Sequence, residues 1–191
     1  GTAKLDDGQV KFGTTALWKD GNSDAFTFPD ENEAFDLSTG DWTIDCWVYS
    51  STNTTFAICG QETTSNNFFQ MHVRTDESLY FTIRNSGWKL RLAGEPGSLP
   101  TGQWNHIALV RTGSTYMIFS NGVYGITDFG GAWGDMAFSV SNYTSAFSVG
   151  RHMDTGGVHV YLGDGWIDQF RITKSALWTN DFTPPTTTQD I

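Results

Sequence analysis

Three groups of side chains in this chain of 191 residues could do chemistry. Asp20-Gly21-Asn22-Ser23-Asp24 sets several hard oxygen donors in one tight turn, the donor type that calcium takes. The same turn has a plainer reading, in which Asp20 and Asn22 only shape the backbone and Asp24 opens a strand. The second group is fitted to sugars, which need aromatic faces for their rings and planar polar side chains for their hydroxyls. In the strand pattern of 43–49, Ile44, Cys46 and Val48 share one face, so Asp45, Trp47 and Tyr49 share the other. By the same alternation Phe69, Met71 and Val73 point inward, and Gln70, His72 and Arg74 point outward. If these strands belong to one sheet, Trp47, Tyr49, His72 and Arg74 line one concave surface, and Arg84 and Trp88 join it. The alternative is that a loop covers this surface and Trp47 is a packing residue. The third group is on loops: Trp133 stands among glycines in 128–135, a rim segment of the kind that binds ligands or merely connects strands.

Bond-breaking chemistry finds less support. Glycosidases place two carboxyl groups about 5–5.5 Å apart when retaining and about 6.5–9.5 Å apart when inverting. On a strand, such a pair would come from acids at alternate positions. Asp45 is the only carboxylate in 43–49, and its neighbours two and four residues on are Trp47 and Tyr49. No Gly-x-Ser-x-Gly, His-Glu-x-x-His or phosphate-cradling loop occurs. His72, His106, His152 and His159 are scattered and lack metal-ligand spacing. Cys46 and Cys59 would face each other in a hairpin turning near 51–54. Either a disulfide or two buried thiols fits that arrangement, and the apolar neighbours Ile44 and Val48 favour the core reading.

The elements that must position these residues are strands. Period-two patterns cover Val10–Trp18, Ala25–Phe28, Trp42–Tyr49, Phe56–Gly60, Phe68–Arg74, Leu79–Arg84, Lys89–Leu92, Gln103–Arg111, Thr115–Ser120, Phe138–Val140, Phe147–Gly150 and Gly165–Thr173. Turn signals such as Asn85-Ser86-Gly87, Thr112-Gly113-Ser114 and Asn121-Gly122 separate them. One short helical turn is expected at Lys174–Trp178, and Pro184-Pro185 then stops any ladder. Many short strands with almost no helical periodicity predict an all-β, two-sheet antiparallel sandwich.

Bulk properties narrow the partners. The chain carries 11 basic and 21 acidic residues, a formal net charge of −10. That opposes binding to duplex nucleic acid, which needs clustered cations, and binding to anionic membrane surfaces. No run of about 18 apolar residues is present to enter a bilayer. The chain opens on Gly1 rather than methionine, so a piece excised from a longer protein is expected.

Four motifs carry a family resemblance. They are Phe12-Gly13 through Ala25-Phe26-Thr27-Phe28; the run 41–49; Gln103-Trp104-Asn105-His106-Ile107-Ala108-Leu109-Val110-Arg111 with Tyr116-Met117-Ile118-Phe119 and the Asn121-Gly122 turn; and 163–172 followed by Leu177-Trp178-Thr179-Asn180-Asp181-Phe182-Thr183-Pro184-Pro185. In this order they resemble laminin G-like domains of the concanavalin A-like lectin/glucanase superfamily, of the type found in bacteriophage virion and tail proteins and bacterial surface proteins. The resemblance implies a jelly roll spanning residues 1–191 as a single domain. It implies a non-catalytic module that recognises a glycan or a protein surface, in a virion or at the cell surface, within a larger homo-oligomeric assembly. The alternative is a spacer or decoration domain that binds no sugar. The resemblance also adds a partner to the turn: Asp168 matches an acidic residue that helps hold a structural calcium, here with Asp24 and with Asp20 or Asn22.

Overall fold

The computed structural model describes residues 3–22, 25–31, 34–128, 138–153, 159–160 and 163–187. Two seven-stranded antiparallel sheets pack face to face. Sheet A runs in the order β1 (Lys4–Asp6), β2 (Ala16–Asp20), β16 (Asp164–Thr173), β4 (Trp42–Ser50), β9 (Trp104–Thr112), β10 (Thr115–Ser120), β11 (Val123–Tyr124). Sheet B runs β12 (Thr127–Asp128), β8 (Trp88–Ala93), β7 (Leu79–Asn85), β6 (Asn67–Val73), β5 (Phe56–Thr64), β13 (Phe147–Val149), β3 (Phe26–Phe28). A small hairpin joins β14 (His152–Met153) to β15 (His159–Val160).

The core is what alternation predicts. Ile44, Cys46 and Val48 of β4 and Ile107 and Leu109 of β9 meet Phe69, Met71, Phe81, Ile83 and Leu90 of sheet B, all buried in one cluster. Trp42 is fully buried, and its indole N–H is satisfied by the Leu37 carbonyl at 2.9 Å. The Asn121-Gly122 turn is a two-residue hairpin loop joining Ser120 to its ladder partner Val123. Both turn residues take positive φ, at 53° and 81°, which matches the twist of the flanking strands.

Four expectations are corrected. Among the described residues there is no α-helix, and 174–178 is irregular chain. The strand expected over Val10–Trp18 is β2 and starts only at Ala16, because 10–15 forms a loop over sheet A, and 138–140 is not a strand. Cys46 and Cys59 do not share a hairpin: β4 and β5 lie in opposite sheets, so 51–55 crosses the sandwich. Both thiols are free and buried, and burial raises their pKa values above the ordinary range. Finally, simple alternation fails in β16. Between Asp168 and Arg171, the two residues Gln169 and Phe170 lie opposite the single residue Cys46 of β4, and Gln169 takes φ 51°. This bulge turns Phe170 inward against Phe147 and turns Arg171 outward.

Candidate functional site

The outer face of sheet B holds a polar cleft of about 410 Å³. It arises because β6, β7 and β8 spend their alternate apolar residues on the core, leaving Gln70, His72, Tyr80, Thr82, Arg84 and Arg91 facing out. The ladders set Gln70 opposite Thr82, Thr82 opposite Arg91, and His72 opposite Tyr80. Trp88 and Arg91 are an odd number of residues apart and should face opposite ways. A register shift at Ile83/Arg84 sets Trp88 opposite Arg84 and returns it to the face of Arg91. Arg74 and Thr75 close one end, and Thr55 reaches in from the crossing loop.

Aromatic rings hold the cations of this cleft. The Arg91 guanidinium lies 4.1 Å from the Trp88 ring centre, and that of Arg84, at the edge of the cleft and outside its lining, lies 5.0 Å from the same ring. The Arg74 guanidinium lies 5.5 Å from the Tyr80 ring, whose centre is 4.9 Å from that of His72. Arg74 also approaches Asp76, at 3.4 Å. Gln70 is only 4% exposed, and its side-chain oxygen has no hydrogen-bond partner. The Nε atoms of Arg84 and Arg91 are likewise buried without an acceptor. No carboxylate lines the cleft among the described residues. The chemistry available is binding: guanidinium and amide donors, hydroxyls and ring edges, with no acid pair to protonate a leaving group.

The sequence-derived candidates therefore divide. His72, Arg74, Arg84 and Trp88 come together on sheet B. Trp47 and Tyr49 lie on the outer face of sheet A, across the core, because β4 and β6 belong to different sheets. One shared surface is thus corrected to two. Trp47 is 8% exposed and is covered by the 10–15 loop: the Lys11 ammonium sits 3.7 Å from its ring and Phe12 packs edge-on at 6.0 Å. Tyr49 lies in a row across four strands with Trp18, Trp166 and Trp104. Tyr49 meets Trp166 and Trp104 edge-on at 5.6 and 5.7 Å, so these rings pack against one another. Trp133 lies outside the described residues. Sequence reasoning missed Tyr80 and Arg91. Plain alternation carried the signal for both, through Leu79, Phe81 and Ile83 around Tyr80 and through Leu90 and Leu92 around Arg91, whereas the facing of Trp88 depended on the register shift.

Elsewhere on that face, Asp45 accepts two hydrogen bonds from Arg171, at 2.9 and 2.8 Å, and lies 3.3 Å from His106 Nε2. Trp178 and Phe182 of the C-terminal segment stack at 4.0 Å and close over His106. Asp45, the one carboxylate of β4, is thus a buried structural partner.

The expected metal set does not converge. Asp20 is paired with Asp164 across the ladder, and Asp168 lies four residues further along β16, about 13 Å away. One Asp168 carboxylate oxygen accepts the backbone N–H groups of Lys11 and Phe12 at 2.9 and 3.0 Å, and the other accepts that of Gln169 at 2.8 Å. Asp20 accepts the Asn22 N–H at 2.8 Å, a turn-shaping bond. Asp24 lies outside the described residues. No cluster of three His, Cys, Asp or Glu able to hold a metal occurs among those described. What Asp168 does here is fasten the 10–15 loop.

Two antiparallel sheets with a polar cleft on one outer face define a lectin-like sandwich. The chain belongs to the family described as the Concanavalin A-like lectin/glucanases superfamily, whose model matches residues 20–181. Solved structures share the fold at low identity. The NanB sialidase of Streptococcus pneumoniae matches with TM-score 0.65 and 17% identity over 86% of this chain, which spans only 26% of that one. The CBM40 of the Ruminococcus gnavus IT-sialidase, bound to α2,6-sialyllactose, matches with TM-score 0.62 and 16% identity over 81% of this chain and 89% of that one. Domain 4 of AbnA, a GH43 extracellular arabinanase from Geobacillus stearothermophilus, in complex with arabinotriose, matches with TM-score 0.64 and 21% identity over 93% of this chain and 78% of that one. No curated protein matches the chain.

Proposed function

We propose that this protein is a non-catalytic carbohydrate-binding module whose glycan lies in the sheet B cleft. One observation carries the reading: a sandwich of the lectin superfamily places a cleft of about 410 Å³, lined by polar side chains and aromatic rings, on a rigid sheet face. The unpartnered oxygen of buried Gln70 fits it, because a ligand hydroxyl would satisfy that group. Structural neighbours bound to sialyllactose and arabinotriose support the same class of ligand. The absence of a carboxylate from the described lining favours binding without cleavage. We place the domain within a larger virion or cell-surface protein, in keeping with the motif order of its sequence, and the Asp20–Asp24 turn remains the place where a calcium ion would be sought.

A glycan array followed by titration calorimetry tests the reading. Specific binding should fall at least about tenfold in Gln70→Ala and Tyr80→Ala, the order expected for one lost hydrogen bond or ring contact in a cleft. Trp47→Ala should leave affinity unchanged while lowering the melting temperature. Silence across the array would favour the spacer role, and release of reducing sugar would overturn the non-catalytic reading.

A further inference from the structure

We infer that the ligand of the sheet B cleft is an acidic glycan, with its carboxylate or sulfate seated between Arg74 and Arg91. This rests on the glycan reading above and names the class of glycan.

Acidic residues outnumber basic ones by 21 to 11, yet Arg74 and Arg91 line one cleft and Arg84 packs on the Trp88 ring at its edge. Like charges gathered on one face repel, and nothing in a neutral polyol relieves that repulsion.

The way the cations are held matters more. A buried or half-buried arginine is ordinarily matched by a carboxylate, as Arg171 is by Asp45. Arg91, in the cleft, and Arg84, at its edge, rest on Trp88 at 4.1 and 5.0 Å, and no ion pair to either is found among the described residues. A ring face steadies a guanidinium and leaves its in-plane N–H donors open. Those donors form a planar fork that matches the paired oxygens of a carboxylate or sulfate. The Nε atoms of Arg84 and Arg91 have no acceptor, and an oxyanion supplies what neutral surroundings do not. Arg74, on Tyr80 and beside Asp76, adds a third positive group at the cleft's end.

The structural neighbours do not decide this point, because one holds sialyllactose and another arabinotriose. The guanidiniums of Arg74 and Arg91 do.

The test uses the full chain on an array carrying acidic glycans beside their neutral forms: uronate polysaccharides with carboxyl-reduced counterparts, and sulfated ones with desulfated counterparts. The expected result is binding confined to acidic members. Affinity should fall roughly tenfold or more on removal of the anionic group, the order of one charge-assisted contact. It should also weaken as salt rises from about 50 to about 500 mM. Loss on carboxyl reduction assigns a uronate or sialate type of ligand, and loss on desulfation assigns a sulfated one. Arg91→Gln and Arg74→Gln should each weaken binding with melting temperatures close to the parent's, so that one remains informative if the other misfolds. Binding of neutral glycans, or equal binding after the anionic group is removed, overturns the acidic ligand and leaves the glycan reading standing. No binding to any glycan overturns both.

Discussion

Gly122 is where the β10–β11 turn meets the C-terminal segment. A Cβ at this position would lie 2.0 Å from the Phe182 carbonyl oxygen. The Phe182 N–H in turn donates to the Gly122 carbonyl at 2.9 Å. That clip seats Phe182 on Trp178 and so closes the outer face over His106. Gly122→Ala should therefore cost about 2 kcal/mol or more, combining positive-φ strain with the loss of this docking. Gly113 is the comparison: it also has positive φ, 57°, but nothing lies within 4 Å of its would-be Cβ. Gly113→Ala should cost only about 1 kcal/mol. Urea unfolding would check both, read as a lower midpoint at nearly constant slope. Asn121-Gly122 was legible as a turn from the residue pair alone. The contact with Phe182 was not, because local sequence carries no record of which distant backbone will approach.

Strand β16 shows the same division at the level of the element. Its existence and its β-type were evident from Trp166-Ile167-Asp168 and from the proline stop. The bulge at Gln169 was not, and it reverses the facing of Phe170 and Arg171. A bulge is dictated by the partner strand, whose Asp45 lies where Arg171 must reach it. Asp168, just before the bulge, holds the 10–15 loop through Lys11 and Phe12 and thereby buries Trp47. Asp168→Asn would set an amide donor against backbone N–H groups, at a cost of about 1–3 kcal/mol. The melting temperature should fall by the same amount with and without calcium. A loss that appears only when calcium is present would return Asp168 to a metal site. The sheet B strands were read more fully, since His72, Arg74, Arg84 and Trp88 do share a face. Arg91 faces out by the same period two, between the core residues Leu90 and Leu92, whereas the facing of Trp88 is set by an irregularity in pairing.

At the scale of the whole molecule, burial between the sheets governs the response to pH. Cys46 and Cys59 are fully enclosed, and their thiols are pushed above their ordinary value of 9.0 by desolvation. Tyr143 is pushed from 10.0 up to about 12, and Tyr116 is raised as well, again chiefly by burial. Above about pH 9 the unfolded chain loses protons that the folded chain keeps. The folded state then binds more protons than the unfolded one, so stability falls as pH rises through this range. Urea midpoints should be level from about pH 7 to about pH 8 and decline beyond about pH 9. A variant with both cysteines replaced by alanine should begin its decline nearer pH 10, where only the phenols contribute. A midpoint unchanged up to about pH 11 would contradict this account.

Composition and period-two patterning determined that this chain forms strands, which residues enter the core, and that its surface carries excess negative charge. These are local consequences of side-chain size, polarity and alternation, and they need no partner to be read. Tertiary structure alone decided that β4 and β6 lie in opposite sheets, that Trp47 is covered while Trp88 supports two arginines, and that Asp168 clasps a loop. Those outcomes depend on which strands pair and in what register. A shift of one residue there changes the face of every side chain that follows.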